Sequence, residues 1–253
     1  MLSLSNKLSL STAKVSSGFN ISNASGLVTW FKFNTNISTA DDDSDGDADI
    51  SWTSSHTDGR VAKQTTDAQE PGTTAGYISF DGSDDNLDLN TQVTLGEFTM
   101  FLALDLDAFT NETIIGKNND SNMFIRFGFQ SDTSKFRFRR TSATYNQDGT
   151  MSESMTSGAV NLMAIRCFNN GSGTTLQVRR ATKSGSTITT NQVYENTNSS
   201  LDYAQTLALN TIGVQSASSA PMDGKLYEWV VFNEKVSDAD IALIEADILN
   251  RIG

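Results

Sequence analysis

The sequence predicts an all-β protein: a two-sheet antiparallel sandwich of jelly-roll type, with one short C-terminal helix and an N-terminal arm. Short segments rich in β-branched and aromatic residues recur along the chain, and turn residues separate them. Only the last segment repeats apolar residues at helical spacing. The chain has 253 residues, which fits one large sandwich domain of roughly 200–250 residues. Many strands followed by a single helix argue against a βαβ fold.

Residues 1–26 predict an arm that precedes the domain. Residues 1–10 alternate apolar and polar side chains, and residues 11–26 are rich in Ser, Gly and Asn without a clear period. A terminal segment of this kind is either a frayed end or a strand that adds to a neighbouring subunit. The domain is therefore predicted to span residues 27–253, and its first strand begins in the β-rich run 27–33.

Strand signals then recur between turns that contain Gly, Asn and Ser. They cover residues 77–80, 86–89, 98–106, 113–115, 122–130, 135–139, 160–168, 174–179 and 225–232. Between the first two of these, Asp81 and Gly82 form a hairpin-type turn pair. In the segment 98–106 the even positions are uniformly apolar and the odd positions are mixed. This pattern predicts a central strand with one face in the core and the other partly covered.

The C-terminal helix is predicted from its first turn and its apolar repeat. Ser237 occupies the N-cap position, and Asp240 occupies the third helical position, which is a variant of the capping box. The apolar residues that recur at helical spacing are Ile241, Ile244, Ile248, Leu249 and Ile252.

The acidic composition disfavours two kinds of partner. The chain carries 30 acidic and 18 basic residues, for a net charge of −12. A nucleic-acid groove needs a basic face that replaces counterions, and anionic membrane surfaces also attract basic segments. We therefore expect no nucleic-acid partner and no membrane insertion.

Three segments together resemble the laminin-G/concanavalin A-like jelly-roll family. They are Trp52 with residues 59–71, the segment 77–87, and the segment 224–241. In that family a Phe-Asp-Gly-Ser-x-Asp turn, present here at 80–85, joins two early strands. A Gly-x-Leu-x-Glu strand, present here at 224–228, leads into a short closing helix. The resemblance implies this fold for residues 27–253 but leaves the function open, because this jelly roll hosts lectins, glycosidases, adhesion modules and viral coat parts.

A narrower resemblance is to jelly-roll structural proteins in the virions of marine cyanobacterial phages. The shared features are the Leu/Ser-rich start and the first strand Leu-Val-x-Trp-Phe/Tyr-Lys-x-Asn-Thr, present here at 27–35. This resemblance implies a non-enzymatic virion component, such as capsid decoration or a fibre, assembled in the host cytoplasm. Its arm would contact other virion proteins or copies of itself. The alternative is a lectin-like module that binds host glycans, with or without calcium.

The sharpest local feature is the acidic segment 41–49. Asp41, Asp43 and Asp45 reproduce the start of an EF-hand calcium loop, and Asp49 falls at the ninth position. The twelfth position holds a tryptophan instead of the bidentate glutamate that completes such a loop. The segment is therefore either a calcium site or a solvated acidic loop.

The sequence contains no recognisable catalytic constellation, so we expect no enzyme. Glycosidases that share this fold use a pair of carboxylates, and the near match, Glu245 with Asp247, is interpreted as helix surface. Glu228 is alone on its strand and is interpreted as a structural hydrogen-bond acceptor. His56 is the only histidine and lies in a turn-like sequence, which gives no support for a triad. Cys167 lies in an apolar run, which predicts a buried thiol.

A cationic stripe is predicted on one strand face. Phe136 and Phe138 face one side of the strand, and Lys135, Arg137 and Arg139 face the other. The stripe is a solvated strand face, a means of protecting a sheet edge by its charge, or a docking surface for an acidic patch on a neighbouring subunit.

Sugar contacts under the lectin-like alternative require exposed aromatic rings. Tyr145, Tyr194 and Tyr203 are predicted to lie in polar loops and are the predicted carbohydrate-contacting residues.

Overall fold

The computed structural model describes residues 20–41, 49–74, 76–118, 120–140, 142–198, 205–214 and 220–253. The strands within these ranges are β1 (Leu27–Phe31), β2 (Ile37–Ser38), β3 (Ile50–Thr53), β4 (Val61–Gln64), β5 (Gly72–Thr74), β6 (Tyr77–Asp81), β7 (Leu87–Leu95), β8 (Phe98–Leu106), β9 (Glu112–Lys117), β10 (Asp120–Phe127), β11 (Lys135–Arg140), β12 (Ser142–Thr150), β13 (Asn161–Asn169), β14 (Thr174–Ser184), β15 (Thr187–Asn198), β16 (Leu207–Ile212) and β17 (Asp223–Phe232). They are followed by the helix α1 (Asp238–Ile252). Short 3-10 turns lie at Ile21–Asn23, Asp67–Gln69 and Phe129–Ser131. No helix in the described ranges has the length and apolar character needed to cross a bilayer.

The strands form two antiparallel sheets, which confirms the predicted sandwich. Within the described residues, sheet A has eight strands in the order β15-β14-β13-β8-β17-β6-β5, with β1 also paired to β17. Sheet B has nine strands in the order β12-β11-β10-β9-β16-β7-β4-β3-β2. Strands that follow each other in sequence pair towards the ends of both sheets, whereas the central pairs, such as β8 with β17 and β9 with β16, join distant parts of the chain.

The turn at Asp81 and Gly82 is not a hairpin, so that prediction is wrong. β6 pairs with β5 and β17 in sheet A, whereas β7 pairs with β4 and β16 in sheet B. The backbone N–H of Gly82 donates to the Met222 carbonyl (3.0 Å), and that of Asp81 donates to the Asp85 carboxylate (2.9 Å). These two hydrogen bonds stabilise the turn in which the chain passes from β6 in sheet A to β7 in sheet B.

The main core fills the space between the sheets. Phe31 is fully buried there, with its ring centroid 5.4 Å from Trp229 and 5.5 Å from Trp52. Strand β8 contributes its even-numbered side chains to this core, while Phe101 and Ala103 face the opposite side and pack in a second apolar cluster. The predicted central position of this strand is confirmed, and both of its faces are buried.

The predicted buried thiol is also confirmed. Cys167 is fully buried in the main core. The guanidinium of Arg140, fully buried as well, places Nη1 3.4 Å from the Cys167 sulfur and donates from Nη2 to the Leu95 carbonyl (3.2 Å). A backbone carbonyl therefore helps to solvate a charge that the core encloses.

Helix α1 packs on the outer face of sheet A and creates the second cluster. Its buried isoleucines contact Phe101, Val230 and Phe232, as the helical repeat predicts. The cap is confirmed: Ser237 Oγ accepts from the Asp240 backbone N–H (3.1 Å) and donates to the Asp240 carboxylate (2.6 Å).

Two buried ion pairs anchor the helix to the sheet. Glu228 accepts from Trp30 Nε1 (2.7 Å) and from Arg251 (2.7 and 3.1 Å), which confirms its structural role. Glu245 is fully buried and pairs with Arg179 of β14 (3.0 and 3.2 Å). The interpretation of Glu245 as helix surface is therefore wrong, because an arginine on the sheet compensates its charge within the interface.

Several strands fall where the sequence predicts none: β2, β3, β4, β5, β12, β15 and β16. Within the described residues, the strands at the ends of the two sheets are β2, β5, β12 and β15, and all four belong to this group. An end strand has one neighbour and faces solvent widely, so it needs no apolar alternation. By contrast, β16 is internal and apolar, and its Leu-Ala-Leu run is a strand signal that sequence analysis missed.

Part of the predicted arm packs on the domain. Within residues 20–26, Ile21 is fully buried in the second cluster, and Asn20 caps the short 3-10 turn that carries it. Residues 1–19 lie outside the described part of the chain, so the assembly role of the arm stays a prediction.

Candidate functional site

The half of the outer face of sheet A beyond the helix presents aromatic and charged side chains together. Tyr77 of β6 and Tyr227 of β17 have ring centroids 5.1 Å apart, and Phe33 lies 6.0 Å from Tyr227. All three rings are partly exposed. Lys225 of β17 and Asp105 of β8 lie on the same face, paired in register. We call this group, with Asp107, the tyrosine surface.

A β-bulge places Tyr227 on this face. The register of β17 against β8 shifts between Leu226 and Glu228. Leu226 and Trp229 both point into the main core, so the two residues between them share the outer side. Bulges re-aim side chains in this way at functional edges of sheets.

The charges of the tyrosine surface are mutually compensated only in part. Lys225 Nζ lies 3.7 Å from the Asp105 carboxylate and 3.5 Å from that of Asp107. Burial opposes the charged form of Lys225, but the two aspartates outweigh it, so the pKa of Lys225 is raised. Burial, together with the charge of Asp105, raises the pKa of the Tyr227 hydroxyl. At neutral pH the surface therefore combines a cation, two carboxylates and phenol donors.

A pocket of about 380 Å³, the rim pocket, opens beside this surface. Its described lining includes Asp81, Thr110, Glu112, Arg126 and Asp223. Glu112 accepts from the Thr110 N–H (2.9 Å) and hydroxyl (2.7 Å) and from the Asp223 N–H (2.7 Å). Burial raises the pKa of Asp223, and nearby carboxylates add to the effect. Glu112 therefore ties together the loops that form the pocket.

The turn after β6 brings three carboxylates together. Asp81, Asp84 and Asp85 each offer an oxygen, and these oxygens lie within 4.8 Å of one another. Burial raises the pKa of Asp85 to about 6, and the charges of Asp81 and Asp84 contribute. Oxygen ligands at this spacing suit a hard divalent cation. Sequence reasoning treated this segment as a family turn and missed the cluster, although three aspartates within five residues were visible.

The predicted calcium segment is described only at its ends. Asp41 is exposed, whereas Asp49 is 3% exposed and its N–H donates to the Ala40 carbonyl (3.2 Å). Asp43 and Asp45 lie outside the described residues. A calcium site formed by Asp41, Asp43, Asp45 and Asp49 stays a prediction.

The cationic stripe lies on β11 as the alternation predicts. Phe136 and Phe138 are 1% exposed and point into the core, and Lys135, Arg137 and Arg139 point outwards. However, β11 lies between β10 and β12, so the interpretation that the stripe protects a sheet edge is wrong. Docking of an acidic partner on Lys135, Arg137 and Arg139 stays a prediction.

The predicted sugar-contacting tyrosines do not form one described group. The ring of Tyr194 is half-buried and meets Phe136 edge-on, with centroids 4.8 Å apart. The side chain of Tyr145 and the whole of Tyr203 lie outside the described part of the chain. The roles of these three tyrosines in sugar binding stay predictions. The tyrosine surface contains two other tyrosines, Tyr77 and Tyr227. Those two residues lie in apolar strand segments, where sequence alone does not separate a surface ring from a core ring.

The fold and its exposed surfaces place the chain in the class of jelly-roll β-sandwich domains. No protein-family model and no curated protein sequence matches the chain. Among solved structures it is similar to domain 4 of AbnA, a GH43 extracellular arabinanase from Geobacillus stearothermophilus, in complex with arabinotriose. That match has a TM-score of 0.53 and 14% identity, and it covers 88% of this chain and 98% of that one.

Two further solved structures are similar at the same level. The Trypanosoma rangeli sialidase in complex with sialic acid has a TM-score of 0.53 and 12% identity, and the match covers 90% of this chain and 34% of that one. An arabinofuranosidase complexed with arabinofuranosyl-α-1,2-xylobiose has a TM-score of 0.52 and 14% identity, with coverage of 90% and 60%. The chain therefore corresponds to about a third of the sialidase. At these identities the likeness establishes the fold alone.

Proposed function

We propose that this chain is a non-enzymatic carbohydrate-binding module whose saccharide packs on the tyrosine surface. The observation that carries the proposal is the pair of partly exposed rings, Tyr77 and Tyr227, beside Lys225, Asp105 and Asp107. Amphipathic rings offer an apolar face together with a polar tip. Ligand sites combine such rings with a few well-placed polar groups that fix orientation. A sugar, with its C–H faces and ring of hydroxyls, matches this combination.

The structural comparisons support a saccharide as the ligand class. Almost the whole of AbnA domain 4, 98% of it, aligns with this chain, and that domain is in complex with arabinotriose. A sandwich of this size and layout therefore supports saccharide binding without a further domain. The sialidase and the arabinofuranosidase also act on or bind sugars, which favours the same class.

The proposal that the chain is not an enzyme rests on how the rim pocket uses its carboxylates. A glycosidase needs two carboxyl groups free to act on one glycosidic bond. Of the three carboxylates in the described lining, Glu112 accepts three hydrogen bonds from Thr110 and Asp223, and Asp81 accepts one from the Ser83 N–H (2.8 Å). We expect no release of reducing ends from any oligosaccharide that binds. Reducing-end formation that Asp223→Asn abolishes would overturn this part of the proposal.

A virion role rests on the sequence resemblance alone. The solved structures described above favour the carbohydrate-binding alternative instead. The two roles are compatible, since a domain at a virion surface can also bind host glycans. Assembly with other virion proteins or with further copies stays a prediction, and size-exclusion chromatography of a variant without residues 1–26 tests it.

The experiment is a glycan array followed by titration calorimetry with the strongest neutral oligosaccharide. We expect Tyr77→Ala and Tyr227→Ala to weaken binding about tenfold or more, because a contacting ring contributes on the order of 1 kcal/mol or more. Tyr227→Phe keeps the ring and should stay within about threefold. Tyr194→Ala is the control, because it removes the ring that the sequence predicted to contact sugar and that lies outside the tyrosine surface. An array without any saccharide signal, or a loss confined to Tyr194→Ala, would contradict the proposal.

A further inference from the structure

The outer face of sheet B carries three arginines close together, in a chain whose net charge is −12. Arg126 of β10 and Arg137 of β11 are direct register partners, and Arg139 is the partner of Phe124. We call Arg126, Arg137 and Arg139 the arginine cluster. Sequence analysis found Arg137 and Arg139 but not Arg126, because only strand pairing brings β10 beside β11.

Aromatic rings support the guanidiniums of the cluster. The Arg126 guanidinium carbon lies 4.2 Å from the centroid of Phe124, and that of Arg139 lies 5.4 Å from it. Phe124 is only 1% exposed although it points away from the main core, so the two arginines cover it. Arg137 lies 3.6 Å from the centroid of Phe129, whose ring is partly exposed. The guanidiniums are therefore held in place before any ligand arrives.

Carboxylates that act on the cluster within the described residues are Asp148 and Glu112. Asp148 pairs with Arg137 through two contacts (2.5 and 2.6 Å), and Glu112 acts on Arg126 from the rim pocket. The charge of Asp148 also acts on Arg139, without a salt bridge between these two residues. Arg139 Nη1 donates to the Ser121 carbonyl (3.3 Å), and its Nε is buried without a hydrogen-bond partner in the described part of the chain.

This arrangement costs stability. Like charges directly opposite each other on neighbouring strands are destabilising. Burial, together with the charges of Arg137 and Arg139, lowers the pKa of Arg126 to about 10. A local arrangement that works against folding is typical of a functional site. A bound anion would relieve the repulsion.

We propose that the arginine cluster is a second binding site, which takes the carboxylate of an acidic saccharide such as a hexuronate. The planar fork of an arginine matches a carboxylate with two parallel hydrogen bonds. The partly exposed ring of Phe129 offers the sugar an apolar contact beside the charge. The saccharide class rests on the proposed function, whereas the preference for a carboxylate rests on the cluster itself.

The test compares trigalacturonate with its methyl-esterified form, which has the same sugars without the charges. We expect the wild-type chain to bind trigalacturonate at least about tenfold more tightly than the ester, because charge-assisted hydrogen bonds to a carboxylate are stronger than hydrogen bonds to a neutral group. Arg139→Gln should abolish this preference. Arg139→Lys, which keeps the charge but loses the fork, should retain a part of it. Lys117→Gln removes another cation from sheet B and should leave the preference unchanged.

The outcomes separate this inference from the proposed function. Equal affinity for the acid and the ester, an unchanged preference in a folded Arg139→Gln, or equally tight binding of a sulfated trisaccharide overturns the carboxylate site. Loss of neutral-sugar binding in Tyr227→Ala with the acid preference intact supports both sites as independent. If trigalacturonate binds through Arg139 while no neutral sugar binds anywhere, the cluster stands and the tyrosine surface fails. Circular dichroism of each variant establishes that it is folded.

Discussion

Strands β8 and β17 pass through two halves of the outer face of sheet A that differ in what covers them. In one half, helix α1 buries Phe101, Val230 and Phe232 in the second apolar cluster. In the other half, the partly exposed Lys225 and Tyr227 of β17 lie beside Tyr77, and Lys225 pairs with Asp105 of β8, which is 5% exposed. One half contributes to stability, and the other is available to a ligand.

The difference between the two halves explains how one sheet can both stabilise the fold and present a surface to a ligand. The covered half needs its charges neutralised, and Glu228 with Arg251 and Glu245 with Arg179 meet that need. The uncovered half keeps Lys225 and Asp107 partly exposed, and a salt bridge between such groups contributes little to stability. We therefore expect substitutions in the covered half to change stability and substitutions in the uncovered half to change binding.

The largest effect is expected from breaking the buried ion pair with Glu228→Gln. Glu228 is fully buried, and its loss of charge leaves Asp247 as the remaining carboxylate partner of Arg251 within the described residues. Removing one member of a buried pair costs about 3–5 kcal/mol. Urea unfolding measures the loss. Asp247→Asn, which removes the partly exposed partner of Arg251, should cost less than about 1 kcal/mol. Equal losses would show that burial does not decide how much each carboxylate partner of Arg251 contributes to stability.

Ile248→Ala should have the next largest effect. Ile248 is fully buried between α1 and sheet A, so truncation leaves a cavity. A loss of about 2–4 kcal/mol in the free energy of unfolding is expected. Asn250→Ala on the exposed side of the same helix is the matched control and should change little. Saccharide affinity per folded molecule should stay constant, and a large loss of affinity would contradict the division between the halves.

At the rim next to the uncovered half, Asp85→Asn should stabilise the protein above pH 6. The pKa of Asp85 is raised from 3.8 in the unfolded chain to about 6 in the folded state. The folded state therefore holds the proton more tightly, and stability falls as pH rises between these values. At about 1.36 kcal/mol for each unit of pKa, the gain at pH 7 is at most about 3 kcal/mol.

Thermal unfolding at pH 4 and pH 7 measures this gain. The advantage of Asp85→Asn should be much smaller at pH 4, close to the unfolded pKa of 3.8, and should vanish only at lower pH, where the carboxyl is protonated in both the folded and the unfolded state. Asp84→Asn, a more exposed neighbour in the same turn, should give a smaller gain. If Asp85→Asn is less stable than the wild type at pH 7, the prediction is wrong, and the charge of Asp85 is compensated in the folded protein.

Ser237→Ala should give the smallest effect. The Ser237 hydroxyl accepts from the Asp240 N–H at the start of α1, and loss of an N-cap costs about 1 kcal/mol. Ser237→Asp, which keeps an acceptor at the cap, should restore most of it. Urea unfolding measures both. A loss above about 3 kcal/mol would mean that the cap also fixes how the helix docks on the covered half.

Sequence reasoning succeeded where a pattern lies within one segment. The capped helix, the central strand β8 and the alternation of Phe136 and Phe138 all depend on neighbours a few residues apart. It failed where the partner is distant. The end strands β12 and β15 carry little apolar alternation, and Glu245 is buried only because Arg179 lies opposite it on β14.

The candidate surfaces show the same limit. The contact between Tyr77 and Tyr227 joins strands 150 residues apart in sequence, and the bulge beside Tyr227 decides on which face its ring lies. The arginine cluster likewise needs the pairing of β10 with β11 to bring Arg126 beside Arg137. No local period encodes either of these arrangements.

The sequence by itself determined that the chain is a β-sandwich with a capped C-terminal helix. Apolar residues that recur at every second position or at helical spacing indicate which side chains share a face. Only the tertiary structure decided which faces are covered and which remain available to a ligand. That decision depends on contacts such as Trp30 with Glu228, which are 198 residues apart. Packing between distant segments sets burial, and burial decides whether a tyrosine or an arginine belongs to the core or to a binding surface.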